Sequence, residues 1–142
     1  MRNLILCGFM GCGKTTVGRR LARLTGRRFV DMDAVIEEEA GMRVQEIFDR
    51  YGEADFRRRE REACAALAAT GVIVLLEVSP ETVLRRLEGD DSRPLLRRPD
   101  KAEAVRELME RREPLYRAAA SVTVSGEADP DAVAAKIHEI CG

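Results

Sequence analysis

Residues 8–16 near the N-terminus, GFMGCGKTT, constrain the fold of this chain more than any other stretch. They match the pattern Gly-x-x-x-x-Gly-Lys-Thr, an apolar run (residues 4–7) precedes them, and apolar residues follow at helical spacing. A glycine-rich loop between a strand and a helix presents backbone N–H groups and a helix N-terminus to phosphate. The stretch therefore predicts a mononucleotide-binding α/β domain, and a glycine-rich turn without a ligand is the alternative.

Individual residues of this loop have expected roles in binding a nucleotide. Gly11 and Gly13 allow the backbone to approach phosphate oxygens closely. Lys14 reaches the β and γ phosphates, and Thr15 offers its hydroxyl to Mg²⁺. The predicted ligands are ATP or GTP together with Mg²⁺. The residues expected to bind the nucleotide here are Gly11, Cys12, Gly13, Lys14, Thr15 and Thr16.

The rest of the chain alternates strand-like and helix-like segments. Strand patterns occupy residues 4–7, 28–31, 72–78 and 121–125, and three of the intervening helices are predicted over residues 34–40, 44–51 and 53–69. The run VIVLLEV has no polar alternation, as expected for a parallel strand that is covered on both faces. We therefore predict a single α/β domain over residues 1–142, with four readable parallel strands and helices on both faces of the sheet.

Composition argues against several classes of function. Of the 142 residues 45% are apolar, the net charge is −1, and no apolar run approaches the ~20 residues of a membrane span. The four cysteines are scattered without a Cys-x-x-Cys pair, so they indicate neither a zinc site nor a disulfide framework. We expect a cytoplasmic monomer that acts on a small molecule and has no nucleic acid or membrane partner.

Two acidic residues lie at the carboxyl end of the second predicted strand, where open α/β sheets place ligands. Asp31 and Asp33 can divide the work, one carboxylate lying near the water shell of a metal and the other near an acceptor hydroxyl. The structural alternative is that Asp33 caps the helix that begins at Ala34. The residues alone leave both interpretations open.

Arginines are further candidates for contacts with an anion. Arg112 falls on the apolar face of its predicted helix, so it needs an anion or a carbonyl partner unless it extends to solvent. Arg57 follows Phe56 in a highly charged helix, where a solvated face is the alternative. The polar segment GDDSRPLLRRPD (residues 89–100) can close over a nucleotide and bring Arg93 to its phosphates, or it is an ordinary exposed loop.

Several motifs in this order resemble the shikimate kinase family over nearly the whole chain. They are residues 8–16, Asp31-x-Asp33, IFDRYGEADFRRRE (residues 47–60), SRPLL (residues 92–96) and RREPLY (residues 111–116). The resemblance implies a P-loop kinase fold with a lid at about residues 89–100. It also implies ATP-dependent phosphorylation of shikimate to shikimate 3-phosphate, in the route to aromatic amino acids. Another small-molecule P-loop kinase, such as a gluconate kinase, is the alternative enzyme.

The resemblance assigns residues to the acceptor site. Asp33 would face the ring hydroxyls of shikimate and assist proton removal, and Arg57 and Arg112 would bind its carboxylate. Two arginines on different helices can form a fork-shaped clamp on one carboxylate. The set of substrate-binding residues implied by the family is therefore Asp33, Arg57 and Arg112.

The resemblance also assigns residues to the nucleotide and the metal. Lys14 and Arg93 would share catalysis with Asp33, because Arg93 in the lid would stabilise the transferred phosphoryl group. Thr15 would bind Mg²⁺ directly, and Asp31 would lie in its outer shell. The residues that would flank adenine are Arg86, Asp129 and Pro130.

One feature of the family is missing from this sequence. Shikimate kinases have a Gly-Gly-Gly stretch after the strand that follows the long helix, whereas here that helix leads through Thr70 and Gly71 directly into residues 72–78. By this resemblance roughly two dozen residues, about one central strand and its crossover, are missing. They are either deleted from the protein or omitted from its sequence.

A real deletion has consequences for folding and function. It predicts unpaired ladder groups beside the phosphate-loop strand, with weak folding or low activity. A nucleotide-binding module that has lost catalysis is then the alternative function.

Overall fold

The computed structural model describes residues 3–9, 11–89 and 98–141. The strands in this part are β1 (Asn3–Cys7), β2 (Phe29–Asp31), β3 (Gly71–Glu77) and β4 (Val122–Ser125). The helices are α1 (Lys14–Thr25), α2 (Met32–Ala40), α3 (Val44–Ala68), α4 (Pro80–Arg86), α5 (Lys101–Ala119) and α6 (Pro130–Cys141). None of these helices is both long and apolar enough to cross a membrane.

The four strands form one parallel sheet with the order β2-β1-β3-β4. β1 pairs with β2 through Leu4 and Phe29 and with β3 through Leu4 and Val72, while Val74 of β3 pairs with Val122 of β4. The carboxyl ends of all four strands therefore meet at one edge, where ligands bind in such sheets. The prediction of an α/β fold with four parallel strands is confirmed.

Successive side chains of β1 enter two separate cores on opposite faces of the sheet. Leu4 and Leu6 pack with residues of α1 and α6, whereas Ile5 and Cys7 pack with residues of α2 and α3, and all four side chains are fully buried. The N-terminal half of α5 packs in the first core and its C-terminal half in the second. Burial on both faces explains why the strand sequences are apolar without alternation.

The sheet is continuous, because β2 pairs directly with β1. The expectation of unpaired ladder groups beside the phosphate-loop strand is wrong, since β1 has a paired strand on each side within the described residues. The chain crosses from β2 to β3 through α2 and α3, and Asn3 N–H donates to the carbonyl of Thr70 at 2.8 Å where α3 leads into β3. Direct pairing places the ends of β1 and β2 side by side.

A glycine divides α3 into two parts. Gly52 has φ 83° and ψ 177°, far from helical values, so the helix is kinked there. The kink lies where the sequence predicts one helix to end and the next to begin, between residues 51 and 53. It turns Phe48 of the first part onto Phe56 of the second, with ring centroids 4.7 Å apart.

Candidate active site

The glycine-rich loop joins β1 to α1 at the carboxyl edge of the sheet. Gly13 precedes α1 with φ 94° and ψ 15°, a left-handed conformation that favours glycine. Gly8 lies so close to β3 that an added Cβ would meet the carbonyl oxygen of Leu76 at 2.8 Å. The loop therefore folds back over the sheet and directs the helix N-terminus toward the same edge as Asp31 and Asp33.

Lys14 links this loop to the end of β2. Its ammonium donates to the carbonyl of Gly8 at 2.6 Å and to Oδ2 of Asp33 at 3.2 Å, and it lies 3.7 Å from Oδ1 of Asp31. Burial lowers the pKa of Lys14, but its neighbours, Asp33 first and then Cys12 and Asp31, together raise that pKa above its usual value. The lysine is therefore held in the charged form that phosphate binding requires.

The two aspartates have different structural roles. The carboxylate of Asp31 accepts a hydrogen bond from the backbone N–H of Asp33 at 3.0 Å and caps α2. The capping alternative for Asp33 is thus wrong, because the helix begins two residues earlier than the sequence predicts and Asp31 takes the cap position. Asp33 instead accepts hydrogen bonds at Oδ2 from Lys14 and from the hydroxyl of Tyr116, the latter at 3.2 Å.

Arg112 is buried on α5, with 4% of its surface exposed. Its guanidinium lies 5.5 Å from the ring centroid of Phe9 and 4.8 Å from that of Phe48, and it donates to Oε1 of Gln45 at 3.1 Å. The alternative that Arg112 extends to solvent is therefore wrong. Aromatic faces stabilise the cation without neutralising it, so the site retains a positive charge for an anion.

Glu60 of α3 is also buried, and its environment favours the neutral carboxyl. Burial and the negative charge of Asp33 raise the pKa of Glu60 from 4.5 to about 8, against the opposing effect of Arg57. Arg57 is exposed on the preceding turn of α3. Its part in a two-arginine clamp with Arg112 remains a prediction.

A cavity of about 320 Å³ lies beside the glycine-rich loop. Arg86 lines it and donates to the carbonyls of Gly11 at 3.1 Å and Gly126 at 2.6 Å, so it ties the loop to the connection between β4 and α6. The carboxylate of Asp129 accepts from two backbone N–H groups at the start of α6. The sequence-predicted residues that line this cavity are Cys12, Gly13, Thr16, Arg86, Asp129 and Pro130.

Two residues predicted to contact the phosphates or the metal, Thr15 and Arg93, are not among the described residues that line this cavity. Thr15 is exposed on the first turn of α1, at the mouth of the loop. Arg93 and most of the predicted lid lie outside the described residues.

Three residues around Asp33 and Arg112, a region that we call the acceptor side, make contacts that the sequence did not indicate. Gln45 accepts a hydrogen bond from Arg112, and Tyr116 donates one to Asp33. Glu60 is buried, and the charges of Asp33 and Arg57 act on its carboxyl. Tyr116 follows Arg112 by four residues, so it lies on the same helix face, and that spacing was the available signal. No local pattern connects Gln45 with Arg112, because they lie on different helices.

Comparison with known proteins gives a consistent result. The family model for shikimate kinase matches residues 10–70 and 61–141. The shikimate kinase of Moorella thermoacetica is 42% identical over 161 residues, covering 96% of this chain and 92% of the relative. That of Caldanaerobacter subterraneus subsp. tengcongensis is 39% identical over 141 residues, covering 82% of each chain.

Solved structures agree with this result. Shikimate kinase from Acinetobacter baumannii in complex with shikimate is 34% identical, with a TM-score of 0.69 over 99% of this chain and 92% of that one. The enzyme from Bacteroides thetaiotaomicron is 27% identical, with a TM-score of 0.72 over 98% of this chain and 97% of that one. The fold, the glycine-rich loop and these matches together establish that the chain belongs to the shikimate kinase family.

Proposed function

We propose that this protein transfers the γ-phosphoryl group of ATP to a ring hydroxyl of shikimate, giving shikimate 3-phosphate and ADP. Membership of the family supports the reaction, and the A. baumannii relative, whose structure contains shikimate, supports the acceptor. The two groups of residues on either side of the glycine-rich loop suit a nucleotide and a small acceptor.

One observation in particular supports an acceptor of this chemistry. Three buried side-chain atoms in the described part of the chain lack a hydrogen-bond partner: Oδ1 of Asp33, Oε2 of Glu60 and Nε of Arg112. Unsatisfied buried polar atoms are costly, so their concentration in one region indicates a ligand. A carboxylate on the ligand satisfies Arg112, and its hydroxyl groups satisfy the two acidic side chains.

At the acceptor side the residues bind and orient the substrate. Arg112 binds the carboxylate, and Arg57 adds a second cation from α3. Oδ1 of Asp33 accepts a hydrogen bond from the attacking hydroxyl and takes its proton as the oxygen attacks phosphorus. The neutral carboxyl of Glu60 lies close to Asp33 without adding a second negative charge, which favours binding of an anionic substrate.

At the nucleotide side the residues neutralise charge and exclude water. The backbone N–H groups of the loop and Lys14 bind the phosphates, and Arg86 with Asp129 and Pro130 flanks the base. Lys14 exchanges its contact with Asp33 for phosphate oxygens when ATP binds, which frees Asp33 to face the acceptor. Arg93 stabilises the transferred phosphoryl group from the lid.

The residues near the phosphates also fit Mg²⁺. No group of three or more His, Cys, Asp or Glu side chains in the described ranges is arranged to hold a metal by itself. Mg²⁺ typically takes one or two protein oxygens together with phosphates and water. The exposed hydroxyl of Thr15 would provide such an oxygen, and the carboxylate of Asp31 would bind a water in the outer shell of the metal. When bound, Mg²⁺ neutralises charge on the β and γ phosphates.

The enzyme is further proposed to be a cytoplasmic monomer formed by a single domain over residues 1–142. All four cysteines are free, which suits a reducing compartment, and the net charge of −1 gives no attraction to nucleic acid or anionic lipid. Size-exclusion chromatography with light scattering checks the oligomeric state.

An ADP-release assay tests the proposed function. We expect ADP production from ATP and Mg²⁺ that depends on shikimate and is absent with gluconate. Lys14→Met should abolish it, because the phosphates lose their cation, whereas Lys136→Met on the exposed face of α6 should leave it unchanged. Absence of shikimate-dependent ADP from the parent chain would contradict the proposal.

A second candidate is a nucleotide-binding module without catalysis. The cavity beside Arg112, bounded also by Phe9 and Tyr116, has a volume of only about 10 Å³, which is about the space of one water molecule. A shikimate ring enters only if these side chains move apart. Calorimetric titration distinguishes the candidates: this module would bind ATP but release no heat with shikimate.

A further inference from the structure

Tyr116 lies at the centre of the acceptor side, although its hydroxyl has no part in the mechanism given above. The side chain is 2% exposed, and its hydroxyl donates to Oδ2 of Asp33 at 3.2 Å. Burial and the adjacent negative charge of Asp33 raise the pKa of Tyr116 well above its usual value. The hydroxyl therefore stays protonated and acts as a hydrogen-bond donor at every pH of interest.

The contacts of Asp33 divide between its two oxygens. Oδ2 accepts hydrogen bonds from Lys14 and Tyr116, whereas Oδ1 is buried without a partner among the described residues. A carboxylate held at one oxygen has its plane and direction restricted, so the other oxygen is oriented for a ligand. When Lys14 turns to the phosphates of ATP, the hydroxyl of Tyr116 remains as the donor that holds Oδ2.

The position of Tyr116 in the fold connects this contact to substrate binding. Arg112 and Tyr116 are four residues apart on α5, so they lie one above the other on the same helix face. Leu115 beside Tyr116 is buried in the core formed with α2 and α3, which fixes this part of the helix. One rigid helix therefore places both the anchor for the substrate carboxylate and the support for Asp33.

We propose that Tyr116 is a positioning residue of the phosphoryl transfer: its hydroxyl holds Asp33 at Oδ2 so that Oδ1 faces the attacking hydroxyl of the acceptor. This inference rests on the proposed function, because it assigns a role in that reaction. Tyr116 acts through Asp33 and does not itself exchange a proton. The hydroxyl of Tyr116 should therefore lower the energy of the transition state, in which the direction of the Asp33 carboxylate matters most.

Removal of a single oxygen tests the proposal. Tyr116→Phe keeps the buried ring and loses only the hydroxyl, so we expect kcat to fall by about tenfold or more while KM for shikimate and for ATP changes by less than about threefold. The matched control is Tyr51→Phe, which removes the same atom from the exposed tyrosine on α3 and should leave both parameters unchanged. A kcat for Tyr116→Phe within about twofold of the parent overturns the proposal.

A second measurement tests the contact without any turnover. The midpoints of urea unfolding are compared for the parent, Tyr116→Phe, Asp33→Ala and the double variant. If the hydroxyl holds Asp33, removing it matters less once Asp33 is absent, so the double variant should be more stable than the sum of the single shifts predicts. Additive shifts overturn the proposal.

The two measurements distinguish failure of this inference from failure of the proposed function. Shikimate-dependent turnover of the parent with an unchanged kcat in Tyr116→Phe rejects the positioning role alone. If the parent shows no shikimate-dependent turnover, the proposed function fails, and the urea cycle alone decides whether Tyr116 holds Asp33.

Discussion

Among individual residues, Arg112 shows most directly how burial leaves a cation in need of a partner. A buried cation is costly unless it has partners, and here two aromatic rings and one amide oxygen provide only part of the compensation. Its Nε remains without a partner in the described residues. The unsatisfied donor beside a retained positive charge favours a carboxylate ligand.

This geometry predicts the effect of replacing Arg112 with lysine. Arg112→Lys keeps the charge but loses the planar fork that binds a carboxylate at two points. We expect KM for shikimate to rise about 10- to 100-fold, from the loss of a charge-assisted hydrogen bond worth about 1.5–3 kcal/mol, with KM for ATP unchanged. Steady-state kinetics measures both, and Arg111→Lys, at the exposed neighbouring position, is the control. Equal shikimate KM values in the two variants would refute the carboxylate assignment.

Glu60 predicts a dependence of stability on pH. Its pKa is raised from 4.5 to about 8 in the folded protein, so the folded state binds a proton more tightly than the unfolded state. The resulting stabilisation is fully present below pH 4.5 and is lost as the pH rises to about 8. Each unit of pKa shift corresponds to about 1.4 kcal/mol.

Urea unfolding between pH 5 and pH 8 measures this effect, because Glu60→Gln removes the titration. The free energy of unfolding of the parent should decline over this range more steeply than that of Glu60→Gln. Glu62→Gln, an exposed change on the same helix, should keep the slope of the parent. A parent slope no steeper than that of Glu60→Gln would show that Glu60 is ionised in the folded protein.

At the level of elements, the kink in α3 joins the two parts of the helix that contribute residues to the proposed acceptor site. Gly52 separates the part that provides Gln45 and Phe48 from the part that provides Phe56 and Glu60. Its φ of 83° and ψ of 177° lie in a region that is essentially restricted to glycine. A straight helix of this length would not place both parts against the same face of α5.

Gly52→Ala is therefore expected to destabilise the protein and to weaken substrate binding. The strain should cost toward the upper end of about 1–3 kcal/mol in urea unfolding, with a raised KM for shikimate. Gly41→Ala is the matched control: an added Cβ meets nothing within 4 Å at either position, but Gly41 has φ 69° and ψ 23°, which other residues adopt more readily. If Gly52→Ala and Gly41→Ala lowered the free energy of unfolding equally, the special backbone conformation at Gly52 would not be needed for stability.

The elements also show what local sequence patterns can determine. The glycine-rich loop, the apolar strand sequences and the glycines that end helices predicted the order and type of the elements, because each depends on near neighbours along the chain. That Asp31 rather than Asp33 caps α2 could not be predicted in this way. It depends on whether α2 begins at residue 32 or 34, and the packing of Met32 in the core decides that.

For the whole molecule, the decisive feature is that β2 lies beside β1. The alignment with the M. thermoacetica relative runs over 161 residues, which is longer than this chain of 142. The extra length is what a missing segment would produce, and its place near Thr70 and Gly71 stays a prediction from the sequence. With adjacent strands only about 4.8 Å apart, the ends of β1 and β2 bring Lys14 into contact with Asp33 and leave little space beside Arg112.

Insertion of the corresponding segment of the M. thermoacetica relative between Thr70 and Gly71 tests this interpretation. A strand added between β1 and β2 should separate Lys14 from Asp33 and widen the cavity beside Arg112. We therefore expect a higher kcat/KM for shikimate than in the parent chain. A Gly-Ser insert of equal length is the control and should not raise it. Peptide mapping of the natural protein checks the premise, since a continuous peptide through Ala69 and Val72 demonstrates a true deletion.

The sequence by itself determined the fold class, the nucleotide-binding loop and the family, because these follow from local patterns and short motifs. Only the tertiary structure decided which groups face one another. The contacts of Tyr116 with Asp33 and of Gln45 with Arg112 join residues that are far apart in the chain. The pairing of β2 with β1 likewise depends on long-range packing, and it is this pairing that places Lys14 beside Asp33.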